Sequence, residues 1–327
     1  MSDTEGAYPS APTMLRGLGR SAAAHVVAWS NVLALVLLLA VASVLSPHFL
    51  SARNLLNVLR GASMVGIVSV GMTFVILNRG IDLSVGSILG VSAALMAGFG
   101  NANPAVWLLL PLLAGGALGL VNALMVTQLR LQPFIATLAM MIFGRGLVYV
   151  YTDGSTLVIE SPTALFAFFG SGYVGPVPVP IVMFAIVAGC AAFVLWRTVF
   201  GREVYAVGAN EEAARLSGIN IGANRVAVYV ISGLLAALAG IVTTSRLAVA
   251  DPNGGTLFEL DAIAAVLIGG TTFDGGVGGV GGTIIGVLIL AFLSNVLNLL
   301  GVSPYSQMLL KGVVIVAAVV VSEARKR

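Results

Sequence analysis

The sequence predicts an all-α polytopic membrane protein of about ten transmembrane helices, some of them short or broken. Three observations carry this prediction. Hydrophobic residues make up 58% of the 327 residues and charged residues only 9%, against roughly 25% charged in a soluble domain. So little charge cannot cover a water-facing surface. The apolar runs are continuous and of helix-spanning length, about 17–25 residues, whereas a membrane barrel would show alternating strands of about ten. Arginines gather in alternate connections between the runs, as the bias of basic residues towards the cytoplasm requires. The single cysteine, Cys190, excludes a disulfide within the chain. The net charge of +3 comes without a basic run of the kind that binds nucleic acid.

Taken in order, residues 1–25 are polar, small and proline-containing and read as a cytosolic tail. Arg16 and Arg20 precede an apolar run starting near Val26. That run is long for a signal peptide and lacks a clear small-residue cleavage site, so it reads as an uncleaved first span. His25 and His48 flank it as interfacial residues. Further spans begin near Gly61, Leu83, Ala105, Pro133, Val179, Val226, Gly279 and Pro304. The segment "LFELDAIAAVLIGGTTF" is ambiguous, being short and carrying Glu259 and Asp261. Parity decides it. Arg16 and Arg20 hold one terminus in the cytoplasm and "SEARKR" the other, so the number of crossings is even and the segment crosses. The spanning region is then 26–322, followed by a basic cytosolic tail, 323–327. Arg79, Arg130, Arg197, Arg202, Arg215 and Arg225 fall inside; Arg53, Arg60 and Arg246 fall outside or at the outer interface. A proline- and glycine-containing outer loop runs from Tyr151 to Pro180. Runs such as "LLAGGALGLVNAL" let helices approach closely. The stretch "GGTTFDGGVGGVGG" reads as a tight turn with a broken or closely packed helix.

The longest inner connection, 201–225, is "GREVYAVGANEEAARLSGINIGANR". Asn210 is suited to cap a helix start. Glu211 and Glu212 suit its first turn and Arg215 its last. Gly218 suits the left-handed position just past the end. A two-turn helix from about Glu211 to Ser217 follows, too short to persist alone in water. It either lies on the bilayer or docks on a partner; its small, weakly apolar face favours the partner.

This stretch resembles the cytoplasmic coupling segment of the monosaccharide (ribose, arabinose, xylose and galactose type) ATP-binding-cassette importer permeases. "VGMTFVILNRGIDLSVGSILG", "QPFIATLAMMIFGRGLVYVYTDGS", "LFELDAIAAVLIGGTTFDGGVGGVGGTIIGVLIL" and "NLLGVSPYSQMLLKGVVIVAAV" are similar to further segments of that family, in the same order along nearly the whole chain. The resemblance implies a permease subunit in the bacterial inner membrane, multi-pass with both termini cytoplasmic. It implies a separate ATPase, a periplasmic or lipid-anchored sugar-binding protein, and a second permease, identical or similar. Gly208, Asn210, Glu211, Glu212, Ala213, Ala214, Arg215 and Gly218 are the coupling candidates. The chain has no G-x-x-x-x-G-K-[ST] phosphate loop. It is therefore expected not to be an enzyme itself and to need no cofactor.

Polar residues within or beside the spans are candidates for the pathway or its gate. Asp82 or Ser84 either caps the third span at its inner end or makes a gating or interhelical contact, with Arg79 a plausible partner. Glu259 and Asp261 open the eighth span, either meeting the binding protein or capping a half-helix. Asn295 and Asn298 sit one turn apart on the ninth span and either bond between helices or line a sugar pathway. An ion-coupled secondary transporter of small polar solutes is the alternative function. It should show paired intramembrane ionisable residues and interrupted helices.

Overall fold

The structure is a computed structural model that describes residues 30–324 apart from 101 and 161. The tail 1–25 with Arg16, Arg20 and His25 lies outside the described residues, as do 325–327. Thirteen helices are described, in chain order: α1 (Ser30–Leu45), α2 (Ala52–Leu77), α3 (Val85–Gly98), α4 (Pro104–Thr127), α5 (Pro133–Thr152), α6 (Ala164–Ser171), α7 (Val179–Arg197), α8 (Val199–Ala209), α9 (Glu211–Leu216), α10 (Ile221–Leu247), α11 (Phe258–Ile268), α12 (Val280–Leu299) and α13 (Pro304–Ala324). Two short antiparallel pairs accompany them. β1 (Leu157–Val158) pairs with β4 (Val249–Ala250), and β2 (Tyr173–Val174) with β3 (Val177–Pro178).

Helix starts follow local chemistry. The Ser51 hydroxyl accepts the Asn54 N–H at 3.3 Å to open α2. Asn103 caps α4 through the Ala105 N–H at 2.9 Å, with Pro104 supplying a pre-set φ at the first position. By length and composition α2, α4, α5, α7, α10 and α12 can cross a membrane. Each of the remaining predicted spans is also helical, as α1, α3, α11 or α13, but α3 has 14 residues and α11 only 11. At 1.5 Å per residue, α11 extends about 16 Å, roughly half of a hydrocarbon core.

Of the long helices α2 and α10 are the most deeply buried, and α10 packs against α4, α2 and α3 through small residues. A methyl group on Gly119 of α4 would lie 2.5 Å from the Tyr229 carbonyl oxygen, and one on Gly233 of α10 would lie 2.3 Å from that of Gly115. These helices meet backbone to backbone, the packing that replaces a hydrophobic drive between helices in lipid.

Side-chain contacts sort the helix ends onto two faces. On one, the end of α2 meets α8 and the 269–279 connection. On the other, the ends of α3 and α5 meet through Gly98 and Tyr151, and α2 reaches the β2–β3 hairpin through Arg60 and Tyr173. The expected loop 151–180 is built rather than irregular. α6 seats Phe166 and Phe169 against Trp107 at ring separations of 5.3 and 6.0 Å. The Ile159 N–H bonds the Ala248 carbonyl at 2.9 Å.

α3 does not begin at the bundle edge. Its first turn lies against Gly144, the twelfth of 20 residues of α5, and Gly115, the twelfth of 24 of α4. It is a half-helix that starts near mid-depth. The segment 78–84 turns back into the protein to reach it, and non-helical backbone at such depth is tolerated because protein surrounds it. The start of α11 arrives at the same place: Glu259 Oε2 lies against Gly86 of α3.

Candidate functional site

The first candidate site is the connection between α7 and α10. Thr198 Oγ1 accepts the Gly201 N–H at 3.1 Å and starts α8. At Asn210 the backbone turns extended (φ −158°, ψ 103°), which ends α8, and the same side chain accepts the Ala213 N–H at 3.0 Å to start α9. The far end closes as expected. Gly218 has φ +83°, the Ile219 N–H returns to the Ala214 carbonyl at 3.1 Å, and the Gly218 N–H to that of Arg215 at 3.0 Å. This paired closure satisfies carbonyls that the short helix would otherwise leave free.

The elbow formed by α8 and α9 is clamped to the bundle. A methyl on Gly208 would lie 1.8 Å from the Leu77 carbonyl oxygen and 2.6 Å from the Gly276 nitrogen. The Gly276 N–H itself donates to Leu77 O at 2.9 Å, made possible by φ +68° at that glycine. Arg79 Nε donates to the Asp274 carbonyl at 2.5 Å and its Nη2 to Ala209 O at 3.3 Å. Tyr205 Oη donates to Gly278 O at 2.9 Å, and burial raises the pKa of that phenol, which holds it as a donor. The glycine-rich connection is thus a platform under α8. Glu211 pairs with Arg225 of α10 at 2.6 Å, and Glu212 with Arg215 through two bonds of 2.5 and 3.0 Å.

Two sequence expectations change here. Gly208 and Ala214 face the protein's own interior, Ala214 being only 4% exposed, so neither presents a surface to a partner. The outward side of α9 consists of Glu212, Ala213, Arg215 and Leu216, the leucine 76% exposed. Arg79 does not pair with Asp82; it spends its guanidinium on the elbow.

The second candidate region is the polar interior. Asp82 is fully buried and lies deep in the bundle rather than at its inner edge. Its Oδ1 accepts from the Ser84 N–H (3.0 Å) and hydroxyl (2.6 Å), and its Oδ2 from the hydroxyl of Ser232, the twelfth of 27 residues in α10, at 2.8 Å. Asn122 of α4 donates to Ser84 Oγ at 2.8 Å. Asp82 therefore fixes the turn that leads into α3 and bonds between helices, whereas the helix itself starts at Ser84 without a side-chain cap, so the capping expectation is not met and the interhelical contact is. Glu259 is buried, and its Oε2 has no hydrogen-bond partner among the described residues. Asp261 pairs with Lys311 of α13 at 2.8 Å. Asn295 and Asn54 exchange two bonds of 2.9 and 3.0 Å between α12 and α2, and Asn298 accepts from Gln307 of α13 at 2.8 Å. Sequence reasoning did not find Ser232, Asn122, Asn54 or Gln307. Their partners lie far away in the chain or across a turn, and nothing local marks them.

A family model described as branched-chain amino acid transport system / permease component matches residues 54–319. The chain is 47% identical over 291 residues to the ribose import permease protein of Haemophilus influenzae, covering 88% of this chain and 90% of that protein. It is 46% identical over 295 residues to the ribose import permease protein of Bacillus subtilis, covering 90% and 92%. It is 36% identical over 318 residues to the galactose/methyl galactoside import permease protein of Escherichia coli, covering 90% and 94%. No solved structure matches.

Proposed function

The chain belongs to the branched-chain amino acid transport system / permease component family, and from that premise we propose that it is the transmembrane permease subunit of an ATP-binding-cassette importer for a monosaccharide. The family description speaks of amino acids, whereas the relatives above are named for sugars. The relatives weigh more, because near-half identity runs across about nine-tenths of both chains. D-Ribose is the first substrate to test, since identity is 46–47% to ribose permeases and 36% to a galactose permease.

In this reading the chain lies in the bacterial inner membrane with both termini in the cytoplasm and ten crossings, α3 and α11 each completed by non-helical backbone. ATP is hydrolysed on a separate subunit. A periplasmic or lipid-anchored sugar-binding protein delivers substrate, and a second permease completes the channel. A cysteine placed near Arg325 should then resist an impermeant thiol reagent in intact cells; labelling there would overturn the topology.

The observation that carries the reading is α9. A six-residue helix is capped at both ends, tied to the bundle through Gly208 and Arg79, and turns an exposed leucine and an ion pair outward. Such a rigid knob transmits motion from a soluble ATPase into α2 and α10. Pull-down of the tagged chain in mild detergent should recover a stoichiometric ATPase; recovery of the chain alone would count against it.

One observation favours the ion-coupled alternative. The half-helices α3 and α11 and the Asp261–Lys311 pair are features that secondary transporters show. The two readings separate on energy source: gradient-driven uptake by the chain alone belongs to the alternative.

A further inference from the structure

A cleft of about 320 Å³ opens between α2, α11, α12 and α13. Its location follows from its rim. Asn57 is the sixth of 26 residues in α2 and Asn298 the nineteenth of 20 in α12, both towards helix ends, whereas Asp261, the fourth of 11 in α11, lies deeper, near the level at which α11 starts. Asn54, three residues before Asn57, bonds Asn295, and Arg60, three residues after it, bonds Tyr173 of the β2–β3 hairpin. The cleft therefore lies on the face opposite α9. Its floor is apolar: Val65 of α2 and Val287 of α12 stand near the middle of their helices. At 1.5 Å per residue, Asn57 to Val65 is about 12 Å of depth.

The walls are unusual for a lipid-facing surface. Among the described residues, the side chains of Asn57 and Ser294 make no hydrogen bond, although both line the cleft. Asn298 is exposed while bonding Gln307. Beside them Lys311 and Asp261 form an ion pair in which both side chains keep some exposure. Free amide and hydroxyl groups are costly where they face hydrocarbon and are kept where they meet water or a polar solute. The core of a permanent interface with a second copy is more apolar than the rest of the surface and depleted in charge, unlike these walls of amides with an ion pair. The charges present cancel each other, so the walls offer donors and acceptors without net attraction for either sign of ion. The volume suits a small molecule, at the lower end of ligand pockets.

We propose that this cleft is a binding site for a single neutral polyhydroxylated solute on the face opposite α9, with Asn57, Ser294, Asn295 and Asn298 meeting hydroxyl groups and the Asp261–Lys311 pair setting the preference for an uncharged ligand. This rests on the permease reading and gives it a location.

The test uses single-cysteine variants, Ser294→Cys and Asn57→Cys, in a Cys190→Ser background and in the assembled transporter. A cationic, impermeant methanethiosulfonate is added to intact cells, with and without D-ribose, D-galactose or D-xylose at high millimolar concentration, and with L-leucine or potassium chloride as controls. The expected result is labelling at both positions, slowed several-fold by at least one sugar and by neither control. Labelling that no sugar slows would overturn the proposal, as would protection by L-leucine. Absence of labelling at both positions would also overturn it and would indicate that a second protein covers the cleft. Sugar uptake by the same cells separates the two levels. Uptake without protection removes the site and leaves the permease reading; absence of uptake for all three sugars removes both.

Discussion

Asp82 shows how one side chain can hold a broken helix inside a membrane protein. Its two oxygens accept three bonds, from the Ser84 N–H, the Ser84 hydroxyl and the Ser232 hydroxyl, and they join the start of α3 to the middle of α10. An alanine there would leave buried donors unsatisfied, at about 1–3 kcal/mol for each group so exposed. Asp82→Ala should therefore lower the thermal midpoint of the purified protein by several degrees, and Asp82→Asn, which keeps an acceptor oxygen, by clearly less. Equal losses for the two variants would show that the carboxylate's bonds do not hold the start of α3. The cap residues of α9 were legible in the sequence because capping is local: Asn210 bonds three residues ahead and Gly218 takes the left-handed turn it was expected to take. Arg79 was not legible. Its partners, the carbonyls of Ala209 and Asp274, lie 130 and 195 residues away, and a backbone acceptor leaves no mark on the residue that supplies it.

Every apolar run predicted to span is a helix, because hydrophobic length is a property of the run itself. How far through the membrane each helix reaches is not such a property. The depth of α3 depends on Gly115 and Gly144 of neighbouring helices, and the order in the 151–180 connection depends on Trp107 receiving α6. Burial likewise decides which side of α9 can serve a partner. Leu216→Asp changes an exposed position, so the chain should insert and melt as before yet lose most of its ATPase on pull-down. Ala214→Trp places an indole where the helix seats on its own bundle, so it should lower the yield of folded chain as well. Gly218→Val forces a β-branched residue into φ +83° and should act like Ala214→Trp. If Leu216→Asp copurifies with normal ATPase, α9 is not the docking element.

For the whole molecule, the two faces differ in build. On one, the α8–α9 elbow rests on the end of α2 and the glycine-rich platform; on the other, a polar cleft opens between α2, α11, α12 and α13. α2 belongs to both, carrying Asn57 and Val65 at the cleft and Leu77 at the elbow. Motion imposed at α9 can therefore reach the cleft along a single rigid element. In the proposed function the energy source is ATP on a separate subunit. The direct measurement is uptake of radiolabelled D-ribose, D-galactose and D-xylose into proteoliposomes, with the chain alone or together with its copurifying ATPase and sugar-binding protein. The expected result is no uptake by the chain alone under a proton or sodium gradient, and uptake of at least one sugar only when all components and ATP on the ATPase side are present. Gradient-driven uptake by the chain alone would contradict it.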